Sequence, residues 1–410
     1  MFTTPFSLAS LNGSNGFILN GIDEVDLSGS SVSGAGDVNG DGIDDIIIGA
    51  FLADPNGNVY AGESYVVFGI DREPIVTTEA DEFLTGTIED DIIYGFDGSD
   101  TINGLAGDDN INGGSGNDLI TAGEGDDLVL GNSGDDTIFG NKGDDRIRGG
   151  RNNDLLYGGA GDDLLRGSSG NDTIFGNKGD DRIRGGRNND LLYGGVGKDF
   201  LRGNLGDDTI FGNKGDDRIR GGRNNDLLYG GVGNDLLRGN SGNDTIFGNG
   251  GDDRIRGGSR DDLIEGGSGN DRITGGRGND TLIGVDLTSA DSALGRGEKD
   301  TLIANRRNNS QGNDTFILGN ENGVFYNDGN SNTAGEADVA RILGFSSSND
   351  TIQLSGSAEL YDLEFVTLPT GTTNASLVYN PESEVVGESI AHLIDVSPDL
   401  SLDDSAFVFV

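Results

Sequence analysis

A nine-residue period runs from Gly86 to Ile283 without a break. The unit approximates G-[G/N]-x-[G/N]-x-D-x-φ-x, where φ is aliphatic, and twenty-two copies follow one another. The sixth position is Asp in every copy, and the eighth is Ile, Leu or Val in every copy. The glycines bend the backbone, the aliphatic residue faces inward, and a carboxylate returns to the same place on each turn. A stack of such turns is a row of oxygen cages, and oxygen cages suit hard cations.

The first six residues of each copy read as turn material. Gly supplies the positive φ that other residues resist. Where the fourth position is not Gly it is usually Asn, as at Asn152, Asn188 and Asn224, and Asn tolerates that region best after Gly. Glu89 and Arg260 break the rule, and the sites around them are weaker candidates. The last three residues read as a short strand, with position eight inward and positions seven and nine outward. A longer period of 36 is superposed: TIFGNKGDDRIRGGRNNDLLYGG begins at Thr137, Thr173 and Thr209, with a variant at Thr245. Thirty-six is four units, the mark of a duplicated block.

Composition narrows the function. The formal charge is −44, from 71 acidic against 27 basic residues, with 74 glycines and 33% hydrophobic residues. Such a composition alone reads as disorder, but disorder requires no aliphatic residue at every ninth place. A chain that folds once its carboxylates are neutralised fits both facts. The charge disfavours nucleic acid. There is no Cys, hence no thiolate metal site. The lone histidine, His392, reads as a packing or surface residue. No stretch approaches the roughly 18–20 apolar residues of a membrane span. Met1–Ser10 carries no basic segment or long apolar run, so a cleaved secretory signal is not expected.

The repeat resembles the calcium-binding nonapeptide GGxGxDxUx of RTX (haemolysin-type) proteins, over about half of the chain. The resemblance implies an all-β fold, a parallel β-roll solenoid of about eleven turns. In it two copies make one turn, and calcium lies between turns, held by Asp carboxylates and backbone carbonyls. The implied ligands are Asp91, Asp100, Asp109, Asp118, Asp127, Asp136, Asp145, Asp154, Asp163, Asp172 and Asp181, then Asp190, Asp199, Asp208, Asp217, Asp226, Asp235, Asp244, Asp253, Asp262, Asp271 and Asp280. Two rows of eleven loops leave space for about 20 Ca2+ ions, whose charge nearly balances the formal −44. Without metal, carboxylates in a row stand about 4.8 Å apart and repel by roughly 1 kcal/mol per pair even in water. The array is therefore expected to be unfolded without calcium and to fold with it. A ladder that served only turn hydrogen bonds would tolerate Asn or Ser at the sixth position, and neither occurs.

Odd and even copies fall on opposite sheets. Position nine of the even copies reads Phe139, Tyr157, Phe175, Tyr193, Phe211, Tyr229 and Phe247; in the odd copies it is Arg from Arg148 to Arg256. An outward aromatic ladder suggests cross-strand stacking, self-association or a glycan, and an arginine ladder suits anionic polysaccharide or phosphate headgroups.

Residues 1–70 form a separate β-rich unit, followed by a linker at 71–85. Asp37-Val-Asn39-Gly-Asp41-Gly-Ile43-Asp-Asp45 places oxygen side chains at alternate positions with Gly42 at the sharp turn. An EF-hand would need Glu at the twelfth position, which is Ile48. With Phe17, Gly49-Ala50 and Phe68-Gly69, the unit resembles one FG-GAP repeat, the calcium-bearing blade of integrin-α-type β-propellers. That resemblance implies ligands at Asp37, Asn39, Asp41, Asp45 and the Ile43 carbonyl.

Residues 284–410 lose the period and read as a β-rich cap, with strands near Thr315–Leu318, Asp350–Leu354, Phe365–Leu368 and Phe407–Val410. Lys299-Asp300-Thr-Leu-Ile and Gly312-Asn313-Asp314-Thr-Phe-Ile look like degenerate copies. The region resembles the C-terminal extensions of bacterial, notably cyanobacterial, RTX-type proteins, which implies a type I secretion signal. The expected function is a secreted, extracellular calcium-binding structural or adhesive protein. The alternatives are a non-catalytic remnant or accessory of an RTX exoenzyme, and a toxin. No H-E-x-x-H or G-x-S-x-G occurs, and no long amphipathic helix suits a pore.

Overall fold

The computed structural model describes residues 16–19, 31–36, 38, 45–50, 63–67, 74–76, 80–285, 298–304, 312–320, 323–326, 339–380 and 388–410. The chain divides into two compact units, Met1–Glu73 and Pro74–Val410.

In the larger unit each nonapeptide contributes one strand, and copies two apart pair in parallel with a register of eighteen residues, as Thr137↔Leu155 and Arg146↔Leu164 show. Even copies build one sheet and odd copies the other, so the fold is an all-β parallel solenoid. The position-eight side chains from Ile93 to Leu282 point between the sheets and are at most 2% exposed. One fully buried aliphatic residue per strand, stacked on its equivalents, makes a core one side chain wide along the axis.

The strands are longer than the three residues expected. Thr137–Lys142, for example, continues from positions seven to nine into the first three residues of the next copy. Gly123↔Asn141 and Glu124↔Lys142 remain in register across the corner. The corner bends because positions two and four have positive φ, at Asn141 (81°), Gly143 (122°) and Asn152 (72°) among others. Position two thus uses Asn as position four does, and Arg260 is held at φ 84°.

The roll extends past the repeats at both ends. In the stretch expected as a linker, Ile75–Val76 pairs with Ile93–Tyr94 and Phe83–Thr85 with Thr101–Asn103. There Leu84 keeps the inward aliphatic position while Glu82 stands where Asp is expected, which hides the copy from a search for its period. At the other end Thr301–Ile303 and Thr315–Ile317 continue the two sheets. They are followed by Ala340–Leu343 and by Thr351–Leu354 with Phe407–Phe409. A hairpin of Tyr361–Thr367 and Thr373–Tyr379 then leads antiparallel into Glu388–Ile394. Phe316, Phe325 and Tyr326 fill this end with large buried rings.

The aromatic ladder stacks within its own sheet. Adjacent rings from Phe139 to Phe247 lie 4.7–5.0 Å apart at 4–11° between planes. Each face is covered by the next ring, and such contacts add about 0.5–1.5 kcal/mol per pair beyond the buried area.

The smaller unit is a four-stranded antiparallel sheet with Gly16–Leu19, Glu63–Val67, Asp45–Ala50 and Ser31–Gly36 side by side.

Candidate metal centre

Every sixth-position aspartate from Asp100 to Asp280 is almost fully buried. Its two oxygens have different fates. Oδ1 reaches back one turn and accepts the backbone N–H of the equivalent residue there at 2.7–3.1 Å, Glu82 for Asp100 and a ladder aspartate for the rest, as Asp181 Oδ1 does from Asp163. Oδ2 is buried with no hydrogen-bond partner in any copy from Asp100 to Asp280. A charged oxygen with no donor costs several kcal/mol. A short run of these is enough to exceed a domain's whole stability of about 5–15 kcal/mol.

The orphan oxygens face a space that glycine keeps open. A Cβ added to Gly140 would stand 2.2 Å from Asp145 Oδ2 and 2.6 Å from the carbonyl oxygen of Gly158, on the next turn. The same pairing recurs at Gly176, Gly194 and Gly230. Ala122 is the exception among first positions, so the site beside Asp127 is narrower. Among the described residues no three Asp, Glu, His or Cys side chains converge as a metal cluster, so carbonyls must complete any cage. Carboxylate and carbonyl oxygens alone form a hard donor set of the kind Ca2+ takes, and an unpaired buried anionic oxygen calls for a cation. The residues present fit calcium.

Electrostatics agree. Burial first, and the neighbouring ladder carboxylates second, raise Asp154, Asp163, Asp190, Asp217, Asp226 and Asp262 from 3.8 to about 8. Asp271, with the charge of Asp300 beside it, reaches about 9. Others, Asp109, Asp145, Asp172 and Asp208 among them, rise to about 6. A raised carboxyl holds its proton more tightly folded than unfolded. The metal-free roll is therefore favoured below the unfolded value of 3.8 and loses that stability as pH rises to about 6–8. Metal-stripped protein should gain β circular dichroism on acidification from pH 8 to pH 4.5, and β content that is flat across this range would contradict the burial of these carboxyls.

The ends of the rows differ from the middle. Asp91 Oδ2 accepts the Thr87 N–H at 2.6 Å and the Thr87 hydroxyl at 3.0 Å. Asp350 Oδ2 accepts the Ser346 N–H at 2.8 Å. Asp300 Oδ2 accepts the hydroxyl of the fully buried Tyr326. Protein donors thus satisfy these end carboxylates, and among the sixth-position aspartates of the repeats Asp91 alone has its Oδ2 already engaged. The degenerate copies carry the ladder on, since Asp300 Oδ1 accepts from Asp271 and Asp314 Oδ1 from Asp280.

A second ladder was not expected. Position five is Asp or Asn in every copy except Ser99 and Lys198. Its side-chain oxygen reaches forward one turn to an exposed N–H, as Asp90 Oδ1 does to Asp108 and Asp126 Oδ1 to Asp144. The signal stood in the sequence as a near-invariant amide or acid, hidden by the stricter neighbour at position six.

The RTX calcium-binding nonapeptide repeat family matches residues 76–284 in overlapping segments that leave no gap. The chain belongs to that family. Its repeats bind calcium at multiple sites, and the roll is a calcium-binding structural domain. An FG-GAP repeat matches residues 28–67 of the same RTX protein. There Asp37, Asn39, Asp41 and Ile43 lie outside the described residues. Asp45 is buried and its Oδ2 accepts the Val38 N–H at 2.7 Å. No curated protein matches the chain. Among the described residues no helix is long and apolar enough to cross a membrane.

Proposed function

We propose that this protein is exported as a loose chain and becomes a stiff structural or adhesive element when calcium outside the cell builds its roll. The row of buried, partnerless Oδ2 atoms from Asp100 to Asp280 carries the reading. Those aspartates, with carbonyls of the adjacent turn, hold the ions; Asp37, Asn39, Asp41, Asp45 and the Ile43 carbonyl hold one more in the FG-GAP unit. Without the ions the oxygens repel and lack donors, and the narrow core offsets little of that. With them, ordering of each turn is coupled to metal binding. The role assigned is that of a calcium binder and scaffold, in keeping with a roll that is a structural domain.

Export follows from the same physics. Submicromolar calcium keeps the chain threadable, and residues 284–410, some of which extend the sheets, serve as cap and as type I secretion region. That RTX repeat proteins are typically exported supports this placement. The aromatic ladder, its rings covering one another, acts within the sheet first and offers only ring edges to a glycan or a second copy.

The test is a calcium titration of the chelated full chain by circular dichroism. A cooperative gain of β signal between about 10 μM and a few millimolar is expected. An ordered chain in chelator, or half-saturation below about 0.1 μM, would defeat the proposal. Culture supernatant assayed from the producing cell then tests export itself.

A further inference from the structure

Calcium binding leaves the outer surface of the arginine sheet without a purpose. Position nine places an Arg on each odd strand from Arg148 to Arg256, directly opposite one another in register, as Arg184↔Arg202 and Arg202↔Arg220. Like charges set face to face on neighbouring strands destabilise a sheet. Ion pairs such as Lys142–Glu124 and Lys198–Asp216 involve other positions, and among the described residues no carboxylate pairs with Arg148 to Arg256 in this row. Arg148 Nε donates to Ser168 Oγ at 3.2 Å, while Arg202 Nε is buried with no partner. In a chain of charge −44, a continuous row of arginines without ion-pair partners is a surface open to an anion, although Asp180, Asp216 and Asp252 line the depression on its position-seven side.

The neighbouring row has a different rhythm. Position seven of the same strands reads Arg146, Leu164, Arg182, Phe200, Arg218 and Leu236, cation and apolar residue in strict alternation. Phe200 lies under Arg202, with the guanidinium 4.5 Å from the ring centre. Two shallow depressions of about 540 and 260 Å³ open beside the row and share Arg202, Asn204 and Leu205, and a third of about 970 Å³ holds Arg184, Phe200 and Leu236 together with Asp180 and Asp216. Arg223 borders the first and Arg187 the second.

We propose that this surface binds a linear carboxylated polysaccharide laid along the roll axis, its carboxylates on the guanidinium row and its sugar faces on Leu164, Leu236 and the Arg202 guanidinium that covers Phe200. Guanidiniums stand about 4.8 Å apart, so every second one, about 9.6 Å on, meets the carboxylate of every second sugar through paired N–H donors. Those three side chains, on every second strand, meet the C–H faces of a polymer whose successive sugars alternate in orientation. A bare phosphate chain uses the arginines but has nothing to set against the apolar positions. The inference needs the roll folded by calcium, and the β signal of each sample separates a failed roll from a failed binding surface.

The experiment uses the full chain in millimolar calcium with fluorescent oligogalacturonate too short to gel, read by anisotropy. A linear polyphosphate, single-stranded DNA and neutral dextran of similar length serve as comparisons. Binding that weakens with salt is expected, with polyphosphate, DNA and dextran each clearly weaker. Arg184→Gln/Arg202→Gln/Arg220→Gln should keep its β signal and bind about a hundredfold more weakly. If that variant loses its fold, the corresponding triple Lys variant keeps the charge and should bind roughly tenfold more weakly. Undiminished binding by the folded variant, which would mean calcium bridging through the acidic loops, overturns the proposal. Equal binding of oligogalacturonate and either phosphate polymer also overturns it.

Discussion

Asp181→Asn should stabilise the roll in chelator and destabilise it in calcium. The asparagine keeps an oxygen for the Asp163 N–H, which Asp181 Oδ1 accepts at 2.8 Å. It replaces the orphan Oδ2 with an amide facing the Gly194 carbonyl, because both oxygens crowd the same point beside Gly176. The metal-free turn then loses a charge and gains a donor, worth about 1–3 kcal/mol. In calcium the same change removes a carboxylate ligand. One site in the middle of a stack that transmits stability only between neighbours is weakened, at a cost of several kcal/mol. Thermal unfolding in saturating calcium should show a lower midpoint. Circular dichroism in chelator with sulfate, which strengthens burial, should show more β structure than the parent. A ladder serving hydrogen bonds alone predicts the same sign in both conditions, so a shared sign would reject the metal role of this aspartate.

Gly215→Ala should cut the roll in two. Gly215 sits at φ 127°, and an added Cβ would stand 1.6 Å from the Gly197 carbonyl oxygen of the turn before. The obstacle is backbone, with no side chain to swing aside. Strain at such a φ and the clash together cost roughly 3 kcal/mol or more. Because each turn rests on its neighbours, the damage separates the flanking segments. Calcium-driven folding should lose cooperativity and show two steps. Lys214→Ala, one residue away and exposed, should leave a single step. A single unshifted transition in Gly215→Ala would show that the turns do not pack as closely as described.

These two sites illustrate what the sequence could reveal. The aspartate ladder and the aliphatic core were legible because both are strict functions of a period, and a period survives any ignorance of the third dimension. Asp300 and Asp314 were readable for the same reason, as worn copies of the unit. Tyr326 was not: it meets Asp300 from 26 positions further along the chain, and no local pattern announces that meeting. Leu84 was obscured because its copy lacks the aspartate. The position-five ladder was written plainly, but an amide or acid next to an invariant Asp reads as more of the same charge. Its opposite reach, forward where position six reaches back, is visible only once the turns are stacked.

The uniform register of eighteen residues between paired strands has a consequence for how such a molecule changes size. Excising or inserting one 36-residue block removes or adds two whole layers, about 9.6 Å of axis, while every surviving strand meets an equivalent neighbour and both ends keep their closures. The length of the rod is then a quantity that unequal recombination within the gene can dial up or down in fixed increments, with no new packing problem to solve at any step.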